Sequence, residues 1–109
     1  MANQNYINGQ FVDAISGATD EVINPSTGEV MAQVPSSGLE DANVAVAAAK
    51  AEFPAWSALT PRERAEKLFA FADALEKNID ELKTIESQNV GKPVSIIDFE
   101  FDLTIDNIR

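Results

Sequence analysis

The chain has 109 residues, of which 45% are apolar and 24% charged, and its formal net charge at pH 7 is −10. This length allows one small domain, and the negative charge argues against nucleic acids and anionic membranes as partners, because both are bound by basic surfaces. The sequence contains no Cys and no His, which removes thiol nucleophiles, disulfides, the usual neutral-pH base and zinc sites of the Cys/His type. No segment of about 18 apolar residues and no leader-like N-terminus is present, so we expect a cytoplasmic protein.

The first third of the chain has the pattern of short strands joined by turns. Asn8-Gly9 lies between strand-forming residues and predicts a two-residue hairpin turn, since both central positions of that turn need positive φ. Two further strand-like segments are separated by the turn formers Asn24–Gly28, and Pro35 ends the second of them. We therefore expect a β-hairpin region over residues 1–36.

The remainder, residues 37–109, has the pattern of a helical arm, because its apolar residues recur at three- and four-residue intervals. A capping box beginning at Ser37 predicts the start of the first helix, and Pro54 is expected to break it. Thr60 and Glu63 form a second capping box. Three or four helices are expected in this region.

The second predicted helix contains a joint and has a clear end. Asn78 is expected to end one helix and to cap the next. Gly91 supplies a left-handed C-terminal position, and Pro93 forbids further helix.

The tail leaves two alternatives open. Residues 96–105 fit either a strand or a helix, because apolar and polar residues alternate over residues 99–105 as in a strand, while Ile97, Phe101, Ile105 and Ile108 fit one face of a helix. Ser95 and Asp98 form a potential capping pair, and this favours the helix. The pattern continues to Arg109 without a cap, so we interpret the C-terminus as a cut within a longer protein.

Several short motifs occur in a fixed order along the chain. They are Tyr6-Ile7-Asn8-Gly9, Asn24-Pro25-Ser26-Thr27-Gly28-Glu29-Val30, Val34-Pro35, Ala45-Val46-Ala47-Ala48-Ala49, Phe53 with Trp56, Glu63-Arg64, Glu86 and Gly91-Lys92-Pro93. Taken together, they resemble the N-terminal segment of the NAD(P)-dependent aldehyde dehydrogenase superfamily. The acidic residues that follow the last motif are most similar to those of the aminobutyraldehyde and betaine-aldehyde branch.

The resemblance implies an α/β parent enzyme in which this segment is α+β, with N-terminal β-hairpins followed by helices that pack on a dinucleotide-binding domain absent from this chain. It implies oxidation of an aldehyde, such as an aminoaldehyde, to a carboxylate through a cysteine thioester, with NAD or NADP as cofactor. The nucleophile, the base and the cofactor site lie beyond this segment in the family. We therefore expect no catalytic or cofactor-binding residue here and an inactive scaffold.

The resemblance also implies two sets of site residues. A monovalent cation, K⁺ or Na⁺, would be held by backbone carbonyls of Val22 and Ile23 and by Asn89; the alternative is that Asn89 only ends its helix.

The second set lies in the tail. Phe99, Glu100 and Leu103, with Asp102 nearby, would line the mouth of the substrate tunnel, where a carboxylate attracts an ammonium group and Phe99 adds a cation–π contact. The alternative is that the two acids belong to a solvated helix face.

The expected partner is the rest of the dehydrogenase chain, which would assemble as a homo-oligomer. The segment by itself has few surfaces to pack against, so we expect self-association in which the stripe from Leu68 to Leu82 and the tail from Phe99 to Ile108 cover each other between copies. The alternative function is a stand-alone helical interaction or regulatory module, a degenerate paralogue of the dehydrogenases.

Overall fold

The computed structural model of the protein describes residues 3–109, which form two compact units. The hairpin unit contains the described residues up to Ile23 together with Val30–Ala58. The helical unit contains Asn24–Glu29 and Leu59–Arg109. Within the described part of the chain, no helix combines the length and the apolar character that crossing a membrane requires.

The hairpin unit consists of two separate two-stranded antiparallel sheets and one helix. Its elements are β1 (Asn5–Ile7), β2 (Gln10–Val12), β3 (Thr19–Ile23), β4 (Val30–Pro35) and α1 (Leu39–Ala58). Asn8 and Gly9 have φ values of 51° and 76°, which confirms the predicted turn between β1 and β2. Tyr6 and Phe11 face each other across this hairpin with ring centroids 5.0 Å apart.

The start of α1 differs from the predicted capping box. The Gly38 N–H donates to Asp41 Oδ2 at 2.8 Å, so the carboxylate that caps the helix is Asp41, one residue later than predicted. The Ser37 hydroxyl instead accepts a bond from the Asn5 side-chain amide at 2.7 Å. An Asp placed three residues after the first cap position satisfies an otherwise orphaned N–H as well as a Glu does.

The predicted break at Pro54 is wrong, because α1 continues through this residue to Ala58. Proline removes one backbone donor, but the residues after it can resume the helical bonding pattern. The Ser57 hydroxyl donates to the Pro54 carbonyl at 3.0 Å, which supplies a side-chain bond in this last turn.

The helical unit contains three helices, α2 (Pro61–Lys77), α3 (Ile79–Val90) and α4 (Val94–Ile108). At the start of α2, Glu63 N–H donates to the Thr60 hydroxyl at 3.3 Å and the Glu63 carboxylate accepts from Thr60 N–H at 2.7 Å. The predicted capping box is confirmed, and the bonds from Thr60 lower the pKa of Glu63. The helical alternative for residues 96–105 is also confirmed, and the strand is wrong.

Two expectations about caps in this unit are corrected. The joint at Asn78 exists, but its side-chain amide donates back to the Ala74 carbonyl at 2.7 Å and makes no cap bond to α3. The predicted pair of Ser95 and Asp98 does not cap α4, because the helix begins at Val94, two residues before the start that a cap at Ser95 would give. Proline fixes a backbone conformation suited to a helix entry, so the start after Pro93 needs no side-chain cap.

The core of the helical unit is small and lies between the helices. Ala72 of α2 and Ile97 of α4 have 0% exposed surface, and Ile105 has 4%. α4 contacts both α2 and α3, so it packs on those two helices within one chain, although Leu68 at the start of the predicted stripe stays 44% exposed. Full burial of an Ile side chain contributes about 1.5–3 kcal/mol, which makes Ile97 and Ile105 the principal anchors of α4.

Candidate functional site

The residues predicted for the substrate-tunnel mouth all lie on α4. Phe99 is 69% exposed and Leu103 is 49% exposed, and they are one helical turn apart on the side opposite Ile97 and Ile105. Asp102 is also exposed, three residues after Phe99. These three side chains therefore form an outward-facing surface of mixed apolar and acidic character.

Glu100 differs from the other three, because its charge is already paired. Its Oε2 atom lies 2.5 Å from Lys92 Nζ, and the same ammonium lies 2.8 Å from Glu86 Oε1. These hydrogen bonds, first the one to Glu100 and then the one to Glu86, raise the pKa of Lys92. Among the predicted acids, Asp102 is therefore more available to a cationic ligand than Glu100.

Lys92 is held firmly from its backbone as well. The Ser87 hydroxyl donates to the Lys92 carbonyl at 3.0 Å, and Gly91 ends α3 in the left-handed conformation with φ of 69°. The Lys92 side chain is only 27% exposed. The charged group thus projects from a constrained turn between α3 and α4.

Three further ion pairs join α4, or the Arg109 that follows it, to the other helices of this unit. Lys83 Nζ of α3 lies 2.7 Å from Asp98 Oδ1, and this bond raises the pKa of Lys83. Arg109 Nη2 lies 2.6 Å from Glu76 Oε2 and 2.8 Å from Asp73 Oδ1, both on α2. Periodicity gave no indication of these pairs, because their partners are separated by 15 residues or more in the sequence.

The Asn24–Glu29 turn brings two of the sequence motifs into contact within the helical unit. The Asn24 side-chain oxygen accepts from Ser26 N–H at 2.9 Å, and Asn24 N–H donates to the Glu29 carbonyl at 2.9 Å. A β-carbon added to Gly91 would lie 3.0 Å from Pro25 Cγ, so a larger residue at the end of α3 would press against the turn. The Asn-Pro-Ser-Thr-Gly and Gly-Lys-Pro motifs are therefore parts of one packed feature.

The three positions predicted for a monovalent cation fall in both compact units. Val22 and Ile23 lie in β3 of the hairpin unit, at a register irregularity opposite β4. Asn89 is exposed in the last turn of α3, and the C-cap of that helix is Gly91. The cation site stays a prediction.

The clearest feature of the hairpin unit that the sequence did not indicate is a buried carboxylate. Asp41 has 6% exposed surface, and its Oδ1 atom accepts from Ile15 N–H at 2.9 Å while Oδ2 accepts from Gly38 N–H at 2.8 Å. These bonds, first from Gly38 and then from Ile15, lower the pKa of Asp41. The spacing from Gly38 to Asp41 is the signal that could have identified the cap, but the bond to Ile15 has no local signal.

One face of α1 carries an exposed apolar stripe at heptad spacing. Leu39, Val46 and Phe53 are 78%, 65% and 64% exposed, and Trp56 at the end of the stripe is 39% exposed. Alanines at 42 and 49 complete the interval. β1 contacts α1, and an open groove between them is lined in part by Ala45 and Ala48.

The family described as "Aldehyde dehydrogenase family" is matched by residues 11–109. The chain therefore belongs to the aldehyde dehydrogenase family. Aldehyde dehydrogenase 1 of Tanacetum cinerariifolium is 45% identical to it over 93 residues, which are 84% of this chain and 19% of the relative. The 2-aminomuconic semialdehyde dehydrogenase of Bos taurus is 42% identical over 93 residues, with 85% and 19% covered.

The fold agrees with this family. The NAD⁺ complex of an aldehyde dehydrogenase from Bacillus cereus superposes on all of this chain with a TM-score of 0.94 and 37% sequence identity, and the match covers 23% of that protein. The aldehyde dehydrogenase-like fold and the α+β character predicted from the sequence are confirmed. The chain spans about a fifth of the length of the curated relatives it matches.

Proposed function

We propose that this chain is the N-terminal part of a cytoplasmic, NAD(P)-dependent aldehyde dehydrogenase and that it acts there as a scaffold. The observation that carries the proposal is the family match over residues 11–109, in a chain about a fifth as long as the curated relatives. The sequence contains no Cys, so the thiolate for a cysteine thioester has to come from outside this chain. The nicotinamide cofactor would accept the hydride of the aldehyde.

The test compares this 109-residue chain with the full-length product of its locus, using a panel of aldehydes with NAD⁺ and NADP⁺. We expect reduced cofactor to form only with the full-length protein. Turnover by the 109-residue chain alone would contradict the scaffold role, and a full-length product without a reactive cysteine would contradict the dehydrogenase assignment.

We propose further that the outward face of α4 lies at the substrate entrance and favours an aldehyde with a positive charge. Phe99 and Asp102 supply an aromatic face and a carboxylate within one turn, a combination that attracts an ammonium group. Asp102→Asn in the full-length protein is expected to lower kcat/KM for an ω-aminoaldehyde roughly three- to tenfold relative to a neutral aldehyde of the same length.

The matched control for that experiment is Glu81→Gln, which removes one exposed carboxylate from α3 and leaves the ion pairs of α4 intact. The ratio of the two kcat/KM values should change less in this variant than with Asp102→Asn. Equal ratios in all three proteins would show that α4 does not recognise charge. The aminobutyraldehyde and betaine-aldehyde branch is proposed on the same acidic character.

The cation site at Val22, Ile23 and Asn89 is kept as a proposal with its own test. Asn89→Ala in the full-length enzyme is expected to weaken the dependence of activity or thermal stability on K⁺ or Na⁺, while the backbone carbonyls remain. If activity and thermal stability depended on K⁺ or Na⁺ to the same extent in the variant, Asn89 would not be a cation ligand and would only end its helix.

The exposed stripe of α1 supports a proposal about partners. We propose that the rest of the dehydrogenase chain covers this face and that the segment self-associates when that cover is missing. A stand-alone interaction module would use the same face. Sedimentation of the 109-residue chain tests self-association, and a monomer at micromolar concentration would contradict it.

A further inference from the structure

α4 carries two apolar stripes on opposite sides. The inner stripe consists of Ile97, Phe101, Ile105 and Ile108, and the outer stripe of Ile96, Phe99 and Leu103. The helical repeat of 3.6 residues places the two stripes about half a turn apart. Ile97 and Ile105 are buried, whereas the outer stripe is 48%, 69% and 49% exposed. Burial of either stripe against α2 and α3 would therefore be favourable, although the inner stripe is longer by one residue.

Charged contacts on both flanks of the inner stripe distinguish the two faces. Asp98 lies on one flank and bonds Lys83 at 2.7 Å, and Glu100 lies on the other flank and bonds Lys92 at 2.5 Å. Lys92 is also fixed by Glu86 at 2.8 Å. Rotation of α4 about its axis would separate both carboxylates from their present lysines.

Basic residues are scarce in this chain, which has 8 of them and 18 acidic residues, and Lys83 and Lys92 are two of the 8. Their side chains are 21% and 27% exposed, so salt screens their charges less than it would on an open surface. When two packings bury similar amounts of apolar surface, partly buried charges with specific partners can make one packing more stable than the other.

We propose that Lys83 and Lys92 are positioning residues that select the buried face of α4. By holding Asp98 and Glu100 they turn the inner stripe toward α2 and α3 and present Phe99 and Leu103 outward. The importance of the outward face for substrate rests on the proposed function. The choice of face itself does not depend on aldehyde oxidation and is measured without it.

The absence of native cysteine makes single-thiol labelling a direct test. Leu103→Cys places one thiol on the outer stripe, and Ile105→Cys places one on the inner stripe. In the chain with native charges we expect the thiol at position 103 to react roughly tenfold faster with a neutral maleimide than the thiol at 105. With Lys83→Met and Lys92→Met together, reaction at 103 should slow and reaction at 105 should speed up, so that the ratio approaches one.

Two matched variants complete the experiment. Lys83→Arg with Lys92→Arg keeps the charges and should restore the ratio. Lys67→Met with Lys77→Met removes the same charge from α2, where neither lysine takes part in the ion pairs described for residues 3–109, and should leave the ratio unchanged.

Three results would overturn the proposal. The ratio could stay unchanged in the Lys83 and Lys92 double variant, or it could fall equally in the control on α2. The thiol at 105 could also speed up without any slowing at 103, which would show detachment of α4 and no exchange of faces. Should the double variant lose its helical circular dichroism, Asp98→Asn with Glu100→Gln removes the same pairs from the α4 side. A ratio that stays unchanged in that variant would overturn the proposal as well.

Discussion

The hairpin unit and the helical unit are held together by different interactions. In the helical unit two isoleucines of α4 are buried against α2 and α3, and ion pairs lie around them. In the hairpin unit the buried residues are Ala14 and the charged Asp41, and the principal long-range contacts are backbone ladders. The helical unit therefore has an apolar core of its own, whereas the hairpin unit is organised by hydrogen bonds and leaves the apolar stripe of α1 exposed.

This contrast indicates which half depends more on a partner. A unit whose largest apolar side chains are exposed gains little free energy from its own folding, because burial of apolar surface is the dominant favourable term. The hairpin unit fits the scaffold proposed above, in which a further domain covers α1. The following substitutions test the contrast between the units.

The largest effect is expected from Ile97→Ala in the helical unit. Removal of a fully buried isoleucine should lower the free energy of unfolding by about 2–5 kcal/mol, from lost apolar burial and the cavity left behind. Urea denaturation followed by far-ultraviolet circular dichroism measures it. Val46→Ala on α1 is the control, since its side chain is 65% exposed, and an equal loss in both variants would contradict the assigned core.

Gly91→Ala should have the next largest effect. The residue has φ of 69°, and the new β-carbon would lie 3.0 Å from Pro25 Cγ, so we expect a loss of about 1–2 kcal/mol. Gly17→Ala is the control, because Gly17 has φ of 70° but open space around it. A second variant with Pro25→Ala added to Gly91→Ala should recover the part due to contact. If both glycine substitutions lowered the free energy of unfolding equally, and Pro25→Ala restored none of it, backbone strain alone would explain the loss at Gly91.

A third prediction concerns the acid sensitivity of the hairpin unit. The folded-state pKa of Asp41 is lowered, so its contribution to stability is fully present above the unfolded-state pKa and is lost as pH falls below about 4. Asp41→Asn should lower the thermal midpoint at pH 7 by roughly 3–8 °C and flatten the acid limb of the stability profile. Glu40→Gln, one residue earlier and exposed, should leave that limb unchanged. An acid limb that is the same in all three proteins would remove Asp41 from this role.

The smallest effect is expected from Phe53→Ser on the exposed stripe of α1. The side chain is 64% exposed, so the free energy of unfolding of this chain should change by less than about 0.5 kcal/mol. In the proposed full-length enzyme the same substitution should lower stability by several times as much, because the face would be covered there. Equal small effects in both proteins would mean that α1 has no partner.

Much of the fold could be predicted because its signals are local. The Asn8-Gly9 turn, the capping box at Thr60 and the end of α3 at Gly91 each depend on a few adjacent residues, and all three were predicted correctly. The continuation of α1 through Pro54 was missed because helix propagation on both sides outweighs the loss of one hydrogen bond.

The candidate site shows the limit of such reasoning more clearly. The sequence allowed either a helix or a strand for the segment that carries Phe99 and Leu103, and the structure shows a helix. The pairing of Glu100 with Lys92 joins α4 to the turn that follows α3, and the bond from Ile15 N–H to Asp41 connects residues 26 apart. Neither contact has a sequence period, so neither could be read from spacing.

The location of the aromatic residues has a practical consequence. The single Trp, Trp56, lies on α1, and the single Tyr, Tyr6, lies on β1, so both belong to the hairpin unit. Intrinsic tryptophan and tyrosine fluorescence therefore observes that unit directly, while the helical unit contributes only phenylalanine. Unfolding curves recorded by fluorescence and by circular dichroism would thus sample different parts of this chain, and their coincidence or separation would measure how strongly the two parts unfold as one.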